Sequence, residues 1–464
     1  RRMARGDGLG GRVRMGLAMR ETSVQSGMGQ LPDGPDPLEL VQGDMRRLKR
    51  KIKAVIDRNL GSGGETHPLL KSSSKDFFER SEKTWRPTVV LLLGQALAES
   101  LPASEREGYL DDCMVLAEIV EIMHTSTVIH DTVLEDFDSL EKGNPAHMIY
   151  SSSVAGNKVS ILAGDFLLAR ASVLLSSLRN TQVVEIMAGA LEAIMIGQMG
   201  LHRPSGGLST AKYIRTVEDR TSRLLASGCL CAALVAGHEG GSEIAEAAEA
   251  VGMKLGTGYQ ITRDMLVTES NYEKLWKKIN GCVDEGKEVQ FDEYEINEPL
   301  QRASCLIYAL EHKDEMRRTV EGEGGFKDVG LLLSAREAIE ETDAVGVMRG
   351  MATENASEGI EALQKLPKSP ARDALCVLAH YVVHPSQDRL QRNNYKDGAY
   401  IEPDHSLDKG ATMWGTQLAK AKKGAKVGLF STLTAKVNEK ITAAGLKRRL
   451  GSLGGSKATK RGEE

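Results

Sequence analysis

LAEIVEIMHTSTVIHDTVLEDFD, residues 116–138, is the stretch from which the rest of the chain is read. Ile119, Ile122 and Met123 recur at three- and four-residue spacing, and Val128, Ile129 and Val133 continue the stripe, which is the pattern of a helix with one apolar face. The stretch ends in acids. Asp131 and Glu135 lie four apart, so on a helix their carboxylates point the same way, with Asp136 and Asp138 close behind. Such a pair can hold a hard cation such as Mg2+. The same spacing also describes an acidic helix end facing solvent.

Around this stretch the composition suits a bundle of helices. The chain has 464 residues, 41% of them hydrophobic but only 4% aromatic, so Leu, Ile, Val, Ala and Met must fill the core. A net charge of −4 averages over unequal segments and points to no partner by itself. Cys113, Cys229, Cys231, Cys282, Cys305 and Cys376 form no CxxC pair and no regular spacing, so they read as reduced thiols in a non-oxidising compartment. The longest apolar runs are interrupted by Arg, Glu or His, and the reading from sequence is that none reaches transmembrane length and that the protein is soluble or peripheral.

Three segments are expected. Residues 1–37 form a basic arm: Arg1, Arg2, Arg5, Arg12, Arg14 and Arg20 face only Asp7 and Glu21 before residue 32. An Arg-rich, acid-poor start is how an organellar transit segment looks, and equally how a plain basic arm looks. Residues 38–385 read as an all-α domain. Helices are expected over Leu38–Leu60, Thr88–Leu101, Lys158–Leu178, Val183–Met199, Ala211–Gly237 and Glu243–Val267, and the segment Lys158–Leu178 is apolar enough to predict a buried central helix. No alternating strand pattern appears. Residues 386–464 form an irregular segment and a basic extension, in which positions 410–464 hold twelve Lys/Arg against three Glu, a net of +9. An amphipathic helix over Leu418–Ala444 could meet RNA, an anionic membrane surface or an acidic protein, and nucleic acid is not the expected partner.

The opening stretch, together with GNKVSILAGDFLLARAS (156–172) and EGIEALQKLPKSPARDALCVLAHYVV (358–383), resembles the all-trans polyprenyl diphosphate synthases over about residues 38–385. That resemblance implies an isoprenoid synthase fold, a large helical bundle around a central cavity. It also implies a reaction. A homoallylic diphosphate is gripped by cations, an allylic diphosphate is held through Mg2+ ions by two facing aspartate-rich motifs, and ionisation yields a carbocation attacked by the isopentenyl double bond. Diphosphate leaves only if its growing negative charge is neutralised, so several carboxylates must hold several cations.

The motifs survive unequally. The family's GGKxxRP reads SEKTWRP, which keeps Lys83 and Arg86, and the family's histidine seven residues before the first aspartate is His124. The resemblance makes these three the isopentenyl diphosphate grip. HDDxxD reads HDTVLE, retaining Asp131 and, as a longer oxygen ligand, Glu135, with neutral Thr132 in the middle. The Arg-Arg-Gly expected next is Leu140-Glu141-Lys142-Gly143. The second motif, FQxxDDxxD, reads YQITRDMLV: Gln260 and Asp264 are kept, Arg263 replaces the principal metal-binding aspartate and Val267 the last one. A fixed positive charge at a cation position opposes metal binding. The family's Lys-Thr pair is Arg220-Thr221; Lys277 and Lys287 keep their places. Small Ser126 and Thr127, before Asp131, match the open elongation tunnel of long-chain members.

Scaffold motifs intact and metal motifs broken on both walls resemble the non-catalytic subunits of heteromeric long-chain prenyl diphosphate synthases. The expectation is therefore a polyprenyl synthase-like protein without independent prenyl transfer. It would act as a partner or structural subunit of a mitochondrial complex, beside an active synthase homologue or within a larger assembly. Asp131, Glu135, Asp264 and Lys277 are then vestigial catalytic groups, with Asp131 and Glu135 a weak Mg2+ site. Lys83, Arg86, His124, Arg220, Thr221 and Gln260 remain to contact an isoprenoid diphosphate. No cofactor is expected beyond Mg2+ for any remaining activity. The alternative is an active Mg2+-dependent long-chain trans-prenyltransferase that condenses isopentenyl diphosphate with an allylic diphosphate.

Overall fold

Asp36 and Pro37 open the described fold. The Asp36 carboxylate accepts from the N–H groups of Leu38 at 2.8 Å and Glu39 at 3.2 Å, and Pro37 takes a first-turn position where its missing N–H costs nothing. The computed structural model describes residues 34–58, 70–71, 74–75, 78, 85–131, 147–202, 209–284, 304–323 and 329–383. Among them there is no strand, as the all-α reading requires. The expected arm before residue 34 and everything after residue 383 lie outside the described residues.

The one-turn α1 (Pro37–Leu40) is separated by Val41 from α2 (Gln42–Asp57), where a single helix was expected. Met45, Leu48, Ile52 and Ile56, at three- and four-residue spacing, are the buried face of α2. Next come α3 (Trp85–Ala98), α4 (Ala103–His130), α5 (His147–Ser177) and α6 (Thr181–His202). Then follow α7 (Thr210–Val217), a π-helical turn (Glu218–Ser222), α8 (Arg223–Val235) and the long α9 (Glu243–Asp284). Four shorter helices and one of twenty residues complete the fold: α10 (Ser304–Glu311), α11 (Asp314–Glu323), α12 (Val329–Glu341), α13 (Ala344–Leu363) and α14 (Pro370–Val383).

Two helices form the centre. In α3 twelve of fourteen residues are buried, and in α8 ten of thirteen, so both are covered all round rather than along one stripe. Close crossings are made by glycine. A Cβ at Gly252 would stand 2.6 Å from the Ala226 Cα, and one at Gly256 would stand 2.9 Å from the Ser222 Cα, so α9 can lie against α8 and the π turn only without those side chains. The main core joins α2–α6, α8, the first part of α9 and α14; a second apolar cluster joins α7, Ile261 and Met265 of α9, and α10, α12 and α13.

Two expectations are corrected. The helix over Lys158–Leu178 is not a buried central one: Ile161 and Leu162 are each 45% exposed, because α5 turns one apolar face outward. The statement that no apolar run reaches transmembrane length also fails. Ala103–His130, Lys158–Ser177 and Thr181–Met199 are each long and apolar enough to cross a membrane by length and composition, since their charged residues are too few to break the average. In the first of these, 78% of the most apolar window is buried in protein, so its apolarity builds the core; in the other two the share is 39% and 28%.

Candidate functional site

The α4 helix brings His124 and Asp131 to one end of the bundle. Its last α-helical residue is His130, and Asp131 caps it, donating its backbone N–H to the Thr127 carbonyl at 2.9 Å. The expected continuation through Glu135 lies outside the described residues, as does Lys83; Lys277 stands on α9, but its side chain is likewise outside them. Two small groups fix the end of α4 against α5. The Ser126 hydroxyl donates to the Gly164 carbonyl at 2.9 Å, and a Cβ at Gly164 would stand 2.1 Å from His130 Nε2. The intact GDFLLARA motif thus keeps its glycine for a packing reason.

Arg86 and His124 do meet. The Arg86 guanidinium lies 2.9 Å from His124 Nε2, on a side chain only 4% exposed. The Trp85 and Tyr259 rings stack at 4.2 Å, and the guanidinium lies 5.3 Å from the first ring and 6.0 Å from the second. Burial pulls the Arg86 pKa below the ordinary arginine value; Tyr259 and the buried Glu121 oppose this, and Arg263 adds to it. The Arg86–His124 pair is enclosed by aromatic rings.

The two retained aspartates have protein partners on both oxygens. Asp131 Oδ1 accepts from the Gln198 amide at 2.6 Å, and Oδ2 faces Arg220 Nη2 at 3.4 Å. Arg220 Nε also donates to Gln198 Oε1 at 3.0 Å, which closes a three-residue ring. The π turn presents Arg220 and Thr221 here, and Gly197 makes the approach possible, because a Cβ there would stand 2.6 Å from the Arg220 Cγ. Asp264 is held likewise. Its Oδ2 accepts from the Tyr213 hydroxyl at 2.6 Å and its Oδ1 from Gln260 at 2.7 Å, while Thr221 donates to Gln260 at 3.3 Å. Burial pushes the Asp264 carboxyl upward, against the pull of Tyr213, Arg263, Gln260 and Arg220; the Tyr213 hydroxyl is pushed well above its ordinary value, first by burial and then by Asp264.

These residues do not fit a Mg2+ cluster. Hard-cation sites need several free carboxylate oxygens, and here amide, hydroxyl and guanidinium donors take those of Asp131 and Asp264. Among the described residues no group of three or more His, Cys, Asp or Glu could hold a metal ion. Gln198 and Tyr213, the donors that complete both arrangements, carried no signal in the sequence, because each partner is 51 or more residues away. The side chains of Cys113, Cys229, Cys231, Cys305 and Cys376 are buried and free, and burial raises the thiols, Cys113 and Cys231 each to about 12 and Cys305 to about 11.

The bundle and its paired polar clusters define a helical protein of the isoprenoid synthase fold. A polyprenyl synthase from Caulobacter crescentus, complexed with calcium and isoprenyl diphosphate, superposes with a TM-score of 0.57 at 22% identity over 77% of this chain and 99% of its own. A decaprenyl diphosphate synthase from Rhodobacter capsulatus gives 0.54 at 22% identity, over 75% of this chain and 98% of its own. Residues 67–316 match the family described as Polyprenyl synthetase, and the chain belongs to that family. Its relatives include the decaprenyl-diphosphate synthase of Dictyostelium discoideum, 29% identical over 75% of this chain and 72% of the relative. The mitochondrial solanesyl-diphosphate synthase 1 of rice is 28% identical over 76% of this chain and 77% of its own.

Proposed function

We propose that this chain is a polyprenyl synthase-like subunit that performs no prenyl transfer alone and works as the partner of an active synthase homologue in the mitochondrion. One observation carries the reading: both retained aspartates, Asp131 and Asp264, are held on both oxygens by side chains of the same chain. Thr132, Arg263 and Val267 stand where the family has further metal-binding acids, so a cluster able to neutralise departing diphosphate lacks its ligands. The relatives' names supply the product class, polyprenyl diphosphates, and an organellar compartment: the rice relative and one from Neurospora crassa are mitochondrial, whereas solanesyl diphosphate synthases of Arabidopsis thaliana are chloroplastic.

A partner has a surface to occupy. Ile161, Leu162 and Val173 of α5 and Val184, Ile196 and Met199 of α6 are exposed, Met199 at 76%. Large apolar side chains gathered on two consecutive helices are characteristic of a protein or membrane contact.

The decisive experiment incubates the purified chain with isopentenyl and farnesyl diphosphates and Mg2+. No polyprenyl product is expected. Product that disappears in Asp131→Ala would sink the proposal and establish the alternative, an active long-chain trans-prenyltransferase. Affinity purification from mitochondria should return a stoichiometric active synthase; recovery within a large assembly instead would assign the subunit a structural place.

A further inference from the structure

One flank of α2, beside its core face, carries a stripe of cations with no counterpart in the site described above. Arg46, Lys49, Arg50 and Lys53 are all exposed and stand three or four residues apart, hence on one face of the helix. Like charges at that spacing destabilise a helix. Neighbouring cations are treated differently: Arg47 pairs with Asp111 at 2.7 Å and Lys51 with Glu118 at 3.0 Å, both acids of α4. Among the described residues no salt bridge within 4 Å reaches the stripe, although Lys75 first, and Lys53 with it, hold the Asp57 carboxyl below its usual range. Asp57, at the end of α2, is drawn to Lys75 at 2.6 Å. Gln42 meanwhile holds the Arg46 guanidinium, its Oε1 accepting from Nη2 at 2.6 Å.

We propose that the Arg46–Lys49–Arg50–Lys53 stripe of α2 is a docking surface for the phosphate backbone of a nucleic acid. Three arguments choose this occupant. First, α2 holds six Lys/Arg against only Asp44 and Asp57, a local excess of positive charge within a folded part of the chain. Second, the stripe extends about 10 Å at ~1.5 Å per residue, and Arg46 and Arg50 add planar forks suited to phosphate oxygens. Third, a bilayer is the poorer match. Surface helices bind membranes by inserting an apolar face, and Met45, Leu48, Ile52 and Ile56 are already buried in the core.

The test measures anisotropy of a labelled RNA hairpin with the full chain across a salt series. Neutralising the stripe, R46Q/K49Q/R50Q/K53Q, should weaken binding and flatten the log–log salt slope by about 2–3, as expected for losing about three phosphate contacts. The charge-preserving R46K/R50K should keep most of the slope. Thermal melts followed by circular dichroism confirm that the neutral variant folds, and relief of repulsion should leave its Tm equal or higher. An unchanged slope in the folded neutral variant overturns the proposal, whether or not the basic tail binds RNA. Loss of binding to phosphatidylserine vesicles with RNA binding unaffected also overturns it, and assigns the stripe to a membrane.

Discussion

The two sides of the candidate site differ in how their residues were kept. On the α3 side, Arg86 and His124 retain their identities and each other, yet the guanidinium is enclosed by Trp85 and Tyr259. Where α4 and α9 present their acids, Asp131 and Asp264 retain their identities but face Arg220, Gln198, Tyr213 and Gln260. A retained residue is thus no measure of a retained role. The first side holds a buried charge; the second is a part-buried polar seam, with Arg220 and Asp131 side chains 19% and 25% accessible.

That contrast can be broken by mutation. Arg86→Ala strips a buried cation from beside His124 and Glu121 and should cost about 3–5 kcal/mol in urea unfolding; a loss under about 1 kcal/mol would place Arg86 with the exposed pairs. Gly164→Ala drives a methyl group against the His130 ring next to Asp131 and should cost about 1–3 kcal/mol. Arg220→Ala, across the seam, should cost less than about 1 kcal/mol. The sharper readout for this variant is Tm with and without Mg2+. The native chain should show no Mg2+-dependent shift, and freeing one oxygen of Asp131 should not create one, since Arg263 and Thr132 remain.

The smallest effect is a pH dependence. The Asp264 pKa is raised in the folded chain, so the native state holds its proton above the unfolded value and loses stability as pH climbs through the folded value. Asp264→Asn removes that loss. The Tm difference, variant minus native chain, should therefore grow as pH rises across the carboxylate range; a flat difference would mean that Tyr213 and Gln260 fully offset burial.

Helices were legible because apolar spacing is local: the face of α2 and the stripe through Ile119, Ile122 and Met123 follow directly from three- and four-residue repeats. Depth was not legible. The segment from Lys158 reads as more buried than it is, since an outward apolar face and an inward one have the same composition. For the site, the family motifs located Arg86, His124, Asp131, Arg220, Thr221, Gln260 and Asp264. What each one touches depends on helix crossings set by Gly197, Gly252 and Gly256, and crossings leave no periodic mark in a sequence.

The fit of Arg220 beside Gly197 also bears on reversal. Replacing Arg263 by aspartate would restore one acid, but Asp131 would still answer to Arg220 and Gln198, and Asp264 to Tyr213 and Gln260. Gains from single replacements are therefore masked by the neighbours that remain. Rebuilding a cation centre in this scaffold calls for simultaneous changes on α6, α7, the π turn and α9, so the path back to metal chemistry is strongly epistatic.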